Sequence, residues 1–333
     1  MGAFWKKGKA GGEVTRIFYA TDIHGSEITW RKFLNAARFY EVDALIYGGD
    51  LMGKLLVPVV RDTGGTWRAS LHDRVHRLTT PEELAEFKTR LETLGFYWYE
   101  CDPDEYRTYE GNQEAIDRLF DRLAKERLRT WVGLAEDRLS ETDVTCYLCG
   151  GNDDTDEILT ALDEADGRHV VNCENRVVPI DDHHVMATVG YSTPTPWDTP
   201  RERTDEEIGE LITRLLAEVE DHARAVFNFH CPPLDSSLDT CMKLDASVWP
   251  PTPIMESGQP VYYGGGSASV RRALEEYQPA LGLHGHIHEA RGHTRYGRTP
   301  AFNPGSEYGE GVLRGVIVAV RDGEVVGSQF TSG

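Results

Sequence analysis

The run VTRIFYA (14–20) constrains this chain most. It is apolar, rich in β-formers, too short for a helix, and it breaks off at once into TDIHG. Such a run reads as a buried strand. Ser26 follows as a helix cap, with a helix to about Phe39. ALIYGGD (44–50) is a second buried strand, ending on two glycines and a carboxylate. Strand, helix, strand at this spacing is a βαβ unit, so the two strands lie parallel. VTCYLCGGND (144–153), AVFNFH (225–230) and PALGLHGHIHE (279–289) repeat the pattern of an apolar run ending in polar residues. The expected fold class is α/β. Helices are expected at about 155–165, 204–223 and 267–277, short strands near 170–180 and 184–190, and antiparallel strands in the tail, 299–331.

Residues 54–140 interrupt that rhythm. Thr80-Pro81-Glu82-Glu83 reads as a capping box with Pro at N1, and Gly95 closes its helix. A second helix spans about 112–138, with an apolar stripe through Leu119, Leu128 and Trp131. The segment lies between two core strands. It therefore reads as a helical insertion, a cap or a dimer surface, within a single domain covering 1–333.

Composition narrows the function classes. The chain has 35 basic and 55 acidic residues, a formal charge of −20. That surface repels polyphosphate backbones and counts against a nucleic-acid polymer as partner or substrate. No apolar run approaches the roughly 18 residues a membrane span needs. The stretch MGAFWKKGKAGGE has no apolar core of a secretion signal. Six cysteines in 333 residues are too few for a disulfide scaffold. A cytoplasmic location is the expectation. Cys146 and Cys149 form a C-x-x-C, but three apart on a strand they face opposite sides and read as buried thiols.

Five strand ends each deliver polar residues: Asp22 and His24, Asp50, Asn152 to Asp154, His230, and His286 and His288. In open α/β sheets ligand groups collect beyond the carboxyl ends of strands. D-x-H and H-x-H put alternate side chains on one side of an extended segment. Asp and Asn oxygens mixed with His nitrogens suit Mn²⁺, Fe or Zn²⁺ rather than Ca²⁺ or Cu⁺. The glycine turn at Asp50 allows close approach, and a carboxylate can bridge two metals roughly 3.5–4 Å apart that clamp a phosphoryl group.

In this order the motifs DxH, GD, GN, H and GHxH resemble those of the calcineurin-like metallophosphoesterase family, across about 14–306. The resemblance implies a four-layer sandwich of two mixed β-sheets flanked by helices. It implies one metal on Asp22, His24, Asp50 and His288, and a second on Asp50, Asn152, His230 and His286. The two divalent ions would be Mn²⁺ first, with Fe or Zn²⁺ as alternatives. The turn Asn303-Pro304-Gly305-Ser306 also matches the family. One position departs: the family has His after the Asn, where this chain has Asp153, and Asp154 keeps the acid position that orients it. A carboxylate at 153 repels a dianionic monoester by roughly 4 kcal/mol per charge pair at about 4 Å and a dielectric of 20. The expected activity is therefore binuclear hydrolysis of a small phosphodiester by a metal-bridging hydroxide, with Asp153 or water protonating the leaving group. A phosphomonoesterase or nuclease on the same site is the alternative, and a non-catalytic scaffold the third reading. A homo-oligomer through the insertion is also open.

Other residues get plainer readings. His284 reads as strand packing, with a supporting role at the site as the alternative. His183 and His184 mark a turn. His72 and His76, four apart, match a helical metal pair but lack a third ligand. Cys231 reads as inert packing. Arg201 and Arg203 read as solvated, with phosphate binding as the alternative.

Overall fold

The computed structural model describes residues 14–164 and 167–333; MGAFWKKGKAGGE, and the reading of it as lacking a secretion signal, lies outside them. The helices are α1 (Glu27–Phe39), α2 (Pro81–Thr93), α3 (Pro103–Tyr109), α4 (Gln113–Leu139), α5 (Asp156–Asp163), α6 (Asp205–Leu216) and α7 (Ala268–Tyr277). Thr15–Ala20 pairs in parallel with Ala44–Tyr47, Ile17 opposite Ala44, with α1 as the crossover. Thr145–Leu148 and Val170–Asn172 extend the parallel row. Arg314–Arg321 and Glu324–Ser332 extend the other side antiparallel, as the tail's pattern suggests. A second six-stranded sheet runs Gly292–Tyr296, Thr299–Asn303, Leu281–Leu283, Ala225–Phe229, Val185–Val189, Val177–Pro179, its middle four strands parallel. Both sheets are mixed and the fold is α/β.

The period of two sorts the side chains. Phe18 clusters with Trp30 and Phe33 of α1, whereas Ile17 and Tyr19 cluster with Met186, Val226 and Leu281 of the second sheet. On that sheet's other face Phe227 and Phe229 bury against Ile208 and Ile212 of α6 and Leu274 of α7. A slip of one residue exchanges the faces, so burial of roughly 1.5–3 kcal/mol per large side chain holds the register.

The insertion is not purely helical. Leu56–Arg61, Trp67–Leu71, Arg74–Leu78 and Tyr97–Cys101 form a four-stranded sheet, and Val57, Val59 and Leu71 pack on Leu84, Phe87 and Leu91 of α2. Pro58 disguises its first strand. The pairing with Trp67–Leu71 begins only at Val59, so proline sits where that side has no neighbour to receive an N–H. Thr80 caps α2 by accepting from Glu83 N, but Glu83 reaches back to Thr79 N rather than to Thr80. His72 lies in a turn and His76 in the strand Arg74–Leu78, so they are not a helical pair. The second half of α4 belongs to the main core: Trp131 stacks on Trp30 at 4.9 Å and 8°. Helix α6 stops at Leu216, short of the expected 223, and a 3₁₀ turn follows at His222–Arg224. Among the described residues no helix is long and apolar enough to cross a membrane.

Candidate metal centre

Every nominated loop leaves the carboxyl end of a parallel strand. Asp22 and His24 follow Thr15–Ala20, Asp50 follows Ala44–Tyr47, and Asn152 follows Thr145–Leu148. His230 follows Ala225–Phe229, and His286 and His288 follow Leu281–Leu283. Parallel strands share an end, so residues 264 positions apart meet: His286 N donates to the Asp22 carboxylate at 3.1 Å.

The loops are pinned to one another. Asp22 N donates to Gly49 O (3.0 Å), His24 N to Asp50 O (3.1 Å) and Gly25 N to Leu51 O (2.8 Å). The Tyr47 hydroxyl donates to Asp50 O (2.9 Å) and accepts from Ile23 N (2.8 Å). In the 303–306 turn, Asn303 Nδ2 donates to Gly285 O and Ile287 O, and Ser306 Oγ donates to Asp22 O at 2.6 Å. Gly151 is required for close approach, since a Cβ there would stand 2.0 Å from Asp50 Oδ1. Asp22, His24, Asp50 and His286 have φ of 55°, 42°, 57° and 66°. Each such non-glycine conformation costs of order 1–3 kcal/mol and persists only where its surroundings enforce it. D-x-H and H-x-H are therefore kinked rather than extended, as alternation suggested, and the kinks aim the side chains.

Asp22, His24, Asp50 and His288 each offer one ligand atom, all within 4.8 Å of one another. His24 Nε2 and His288 Nε2 face each other at 3.1 Å, and Asp22 Oδ1 is 3.5 Å from His288 Nε2. Asp50 Oδ2 lies 3.6 Å from His24 Nε2 and 3.5 Å from His230 Nε2, so it stands between two groups of donors. In the other group Asn152 Oδ1 is 3.0 Å from His230 Nε2 and 2.7 Å from His286 Nδ1. His230 Nδ1 sits 2.8 Å from Gly48 O; donating there, it turns Nε2 toward the cluster. His286 and His288 thus serve different halves.

The electrostatics favour positive charge in the cluster. Asp22 and Asp50 are fully buried side by side. Burial opposes their ionisation, yet facing histidines hold both below the usual carboxylate range. His230, despite its burial, is pushed up to about 9 by Asp50 and Asp22. Burial and the His230 charge bring His286 down to about 4. Buried carboxylates need positive charge beside them, which His230 supplies when protonated or a cation when bound. Among the described residues His24 Nδ1 has no hydrogen-bond partner, and Asp153 Oδ2 stands 3.6 Å from it. Carboxylate oxygens with convergent imidazole nitrogens suit a Mn-, Fe- or Zn-type ion, so the cluster can hold a metal.

The two acids after Asn152 differ in role. Asp153 lines the cavity; its N donates to Asp50 Oδ1 (3.0 Å) and its Oδ2 meets Lys54 Nζ at 2.5 Å. Burial and the Asp50 charge raise Asp153 to about 6 against the pull of Lys54. Asp154 is buried and is not among the residues that line that cavity. Its carboxylate accepts from Leu51 N, Met52 N and Gly151 N at 2.8–3.0 Å, so it clasps two loops of the site. Lys54 and Tyr308 were missed. Lys54 stands four residues after Asp50 in GGDLMGK, and the Tyr308 ring lies 4.8 Å from that of His24.

Arg201 is neither solvated nor a phosphate ligand. It is 1% exposed, paired with Glu174 and with Asp156 (3.2 Å), donates to Gly151 O (3.0 Å) and lies over the Tyr191 ring. It props the turn that presents Asn152. Arg203 stacks on the same ring. His284 is buried and bonded to Phe229 O; His184 is bonded to Asp181. Cys231, Cys146 and Cys149 are buried thiols, the last two in different core clusters.

A cavity of about 600 Å³ opens on the cluster. A larger hollow, about 820 Å³, lies between α1, α2 and α4 and holds none of these donors. No protein-family model matches the chain. Over 172 residues, 50% of this chain and 68% of the relative, it is 27% identical to the uncharacterized protein MJ1162 of Methanocaldococcus jannaschii. It is similar to the crystal structure of TT1561 of Thermus thermophilus, with 13% identity over 96% of this chain and 98% of that one and a TM-score of 0.55. A second crystal structure gives 14% identity over the same shares and a TM-score of 0.57. Likeness at that identity shows a shared α/β fold.

Proposed function

We propose that the chain is a binuclear metal-dependent phosphoesterase of the calcineurin-like metallophosphoesterase type, hydrolysing a small phosphodiester. The observation that carries this is the convergence of Asp22, His24, Asp50 and His288 within 4.8 Å at parallel strand ends, with Asn152, His230 and His286 meeting on the far side of Asp50. The helix, sheet, sheet, helix layering of that family is supported by the three clusters on the sheet faces. When bound, two divalent ions would polarise phosphoryl oxygens and supply a water acidic enough to attack. The chain's own part is positional. Asp50 stands between the donor groups, Asn152 links His230 to His286, and Lys54 offers an ammonium at the cavity edge to a phosphoryl oxygen.

Lys54 changes the charge argument. At 2.5 Å it neutralises Asp153, so repulsion of dianions is weaker than the sequence alone suggests, and a phosphomonoester remains the second reading. The diester is favoured by the cavity, whose volume of about 600 Å³ and whose lining by Pro194, Pro196, Trp197, Met242, Leu244 and Tyr263 suit a second ester group beside the phosphate. Of the insertion only Lys54 lines that cavity, so we assign 54–140 to buttressing the 22–26 loop and to pairing of subunits rather than to a lid. The test is hydrolysis of bis(4-nitrophenyl) phosphate and 4-nitrophenyl phosphate with Mn²⁺ and with chelator. Chelator-sensitive turnover with the diester preferred is expected. Chelator-insensitive turnover, or none on any ester, refutes the proposal.

A further inference from the structure

We infer that the cavity selects phosphodiesters carrying a planar aromatic ester group, seated on Trp197 with Tyr263 and Met242 beside it; this rests on the phosphodiesterase reading of the same site. The cavity has two chemical halves. Asp50, Lys54, Asn152, Asp153 and the two histidines of the GHxH motif line one, and Pro194, Pro196, Trp197, Met242, Leu244 and Tyr263 line the other. Phosphate charge belongs beside the first group; Glu289 also lines the cavity. At about 600 Å³ the whole matches a small ligand.

The apolar half is tied to the polar one. Trp197 lies on a loop whose Thr199 Oγ1 accepts from Asn152 Nδ2 at 2.9 Å. Glu202 gathers that loop, accepting from Thr195 Oγ1 and from Thr199 N and Oγ1. Trp197 N donates to Thr195 Oγ1, and the Trp249 ring stands 6.1 Å away at 78° to the Trp197 ring. Tyr263 is paired across a short ladder with Cys241, next to Met242. Among the described residues, seven of the eleven exposed large hydrophobic side chains lie on this loop and on 240–264, and three of the seven, Trp197, Met242 and Tyr263, line the cavity. Apolar side chains concentrated at a polar site mark a binding surface rather than a random one. A half-exposed indole lining the same cavity as the polar cluster takes a ring, whether aryl or nucleobase, because both present a π-face.

The test is calorimetric binding to the Mn²⁺-loaded protein of two monoanionic diesters, diphenyl phosphate and diethyl phosphate, at low temperature with recovery of the intact ester checked, so that binding is read apart from turnover. Diphenyl phosphate should bind at least about fivefold tighter, the lower end of what one stacked ring contributes. Trp197→Ala should reduce that ratio toward one, and Trp197→Phe should keep it, which separates lost stacking from lost folding. Thymidine 5′-(methyl phosphate) completes the set: tighter binding than diphenyl phosphate assigns a nucleobase, weaker binding an aryl group. Equal affinities of the phenyl and ethyl esters, a ratio untouched by Trp197→Ala, or no binding of either ester overturns the inference. Hydrolysis of bis(4-nitrophenyl) phosphate is read in parallel. Its absence refutes the phosphodiesterase reading, while its presence with equal affinities refutes the aromatic preference alone.

Discussion

Arg201→Met should strip the support from under the Asn152 turn. The guanidinium is 1% exposed and pairs with Glu174, whose side chain is 10% exposed, and with Asp156, which is 71% exposed. The Asp156 pair is screened by solvent and contributes little. Glu174 is different: without Arg201 it is a nearly buried carboxylate to which, among the hydrogen bonds of the described residues, Gly150 N still donates. Breaking a buried pair from one side costs about 3–5 kcal/mol, a large part of a typical total of 5–15 kcal/mol. Replacing both partners by apolar groups is often near neutral. Urea unfolding should therefore show Arg201→Met losing about 3–5 kcal/mol and Arg201→Met with Glu174→Leu recovering most of it. Arg201 also donates to Gly151 O, and its N donates to Asn152 O at 3.0 Å, so both variants should bind metal more weakly. A loss under about 1 kcal/mol in the single variant, or a double variant no better than the single, would refute the buried-pair account.

Gly95→Ala should damage the site from within the insertion, because φ is 81° and a Cβ would stand 1.8 Å from His24 O; a soluble variant with normal metal affinity and melting temperature would contradict this. Lys54→Met leaves Asp153 unpaired before the cavity, so kcat/KM should fall for monoesters more than for diesters, by about tenfold in their ratio given an exposed, partly screened charge. An unchanged ratio would place Lys54 outside substrate contact. Asp205 ties α6 to α7 through Ser267 and Ser269, and although burial opposes it, those hydrogen bonds hold its carboxyl below the usual range. A depressed folded pKa gives stability that is present above the unfolded value near 4 and lost as pH falls through the folded one. Asp205→Ala should accordingly cost about 1–2 kcal/mol at pH 7 and progressively less as the pH is taken well below 4, read by urea titration at each pH.

The strand ends were legible because each combines a local period with an abrupt polar break, as in IFYATDIH and GLHGHIH. Parallel pairing then brings them together with no further information. What was illegible depends on contacts distant in sequence. Asp154 is spent on Leu51 and Met52, 103 and 102 positions away, and Arg201 on Glu174, so neither neighbourhood announces a buried role. The sheet of the insertion was hidden by Pro58 and by short strands. Its coupling to the site was hidden too: Ser26 Oγ donates to Thr93 O and Arg127 Nη1 to Gly25 O, so an insertion that looks detachable braces the DxH loop. Replacing 60–138 by a linker would remove Trp131 from the main core and that brace with it, and metal binding is not expected to survive.

Metal stoichiometry tests the central claim most directly. The protein is stripped with chelator, dialysed against Mn²⁺ and weighed for metal by mass spectrometry, beside Asp50→Asn. Wild type should hold about two ions per chain, and Asp50→Asn, which weakens the one side chain proposed to touch both, should hold about one or none while staying folded. Failure of wild type to retain metal, or full retention by a folded Asp50→Asn variant, would contradict the binuclear centre.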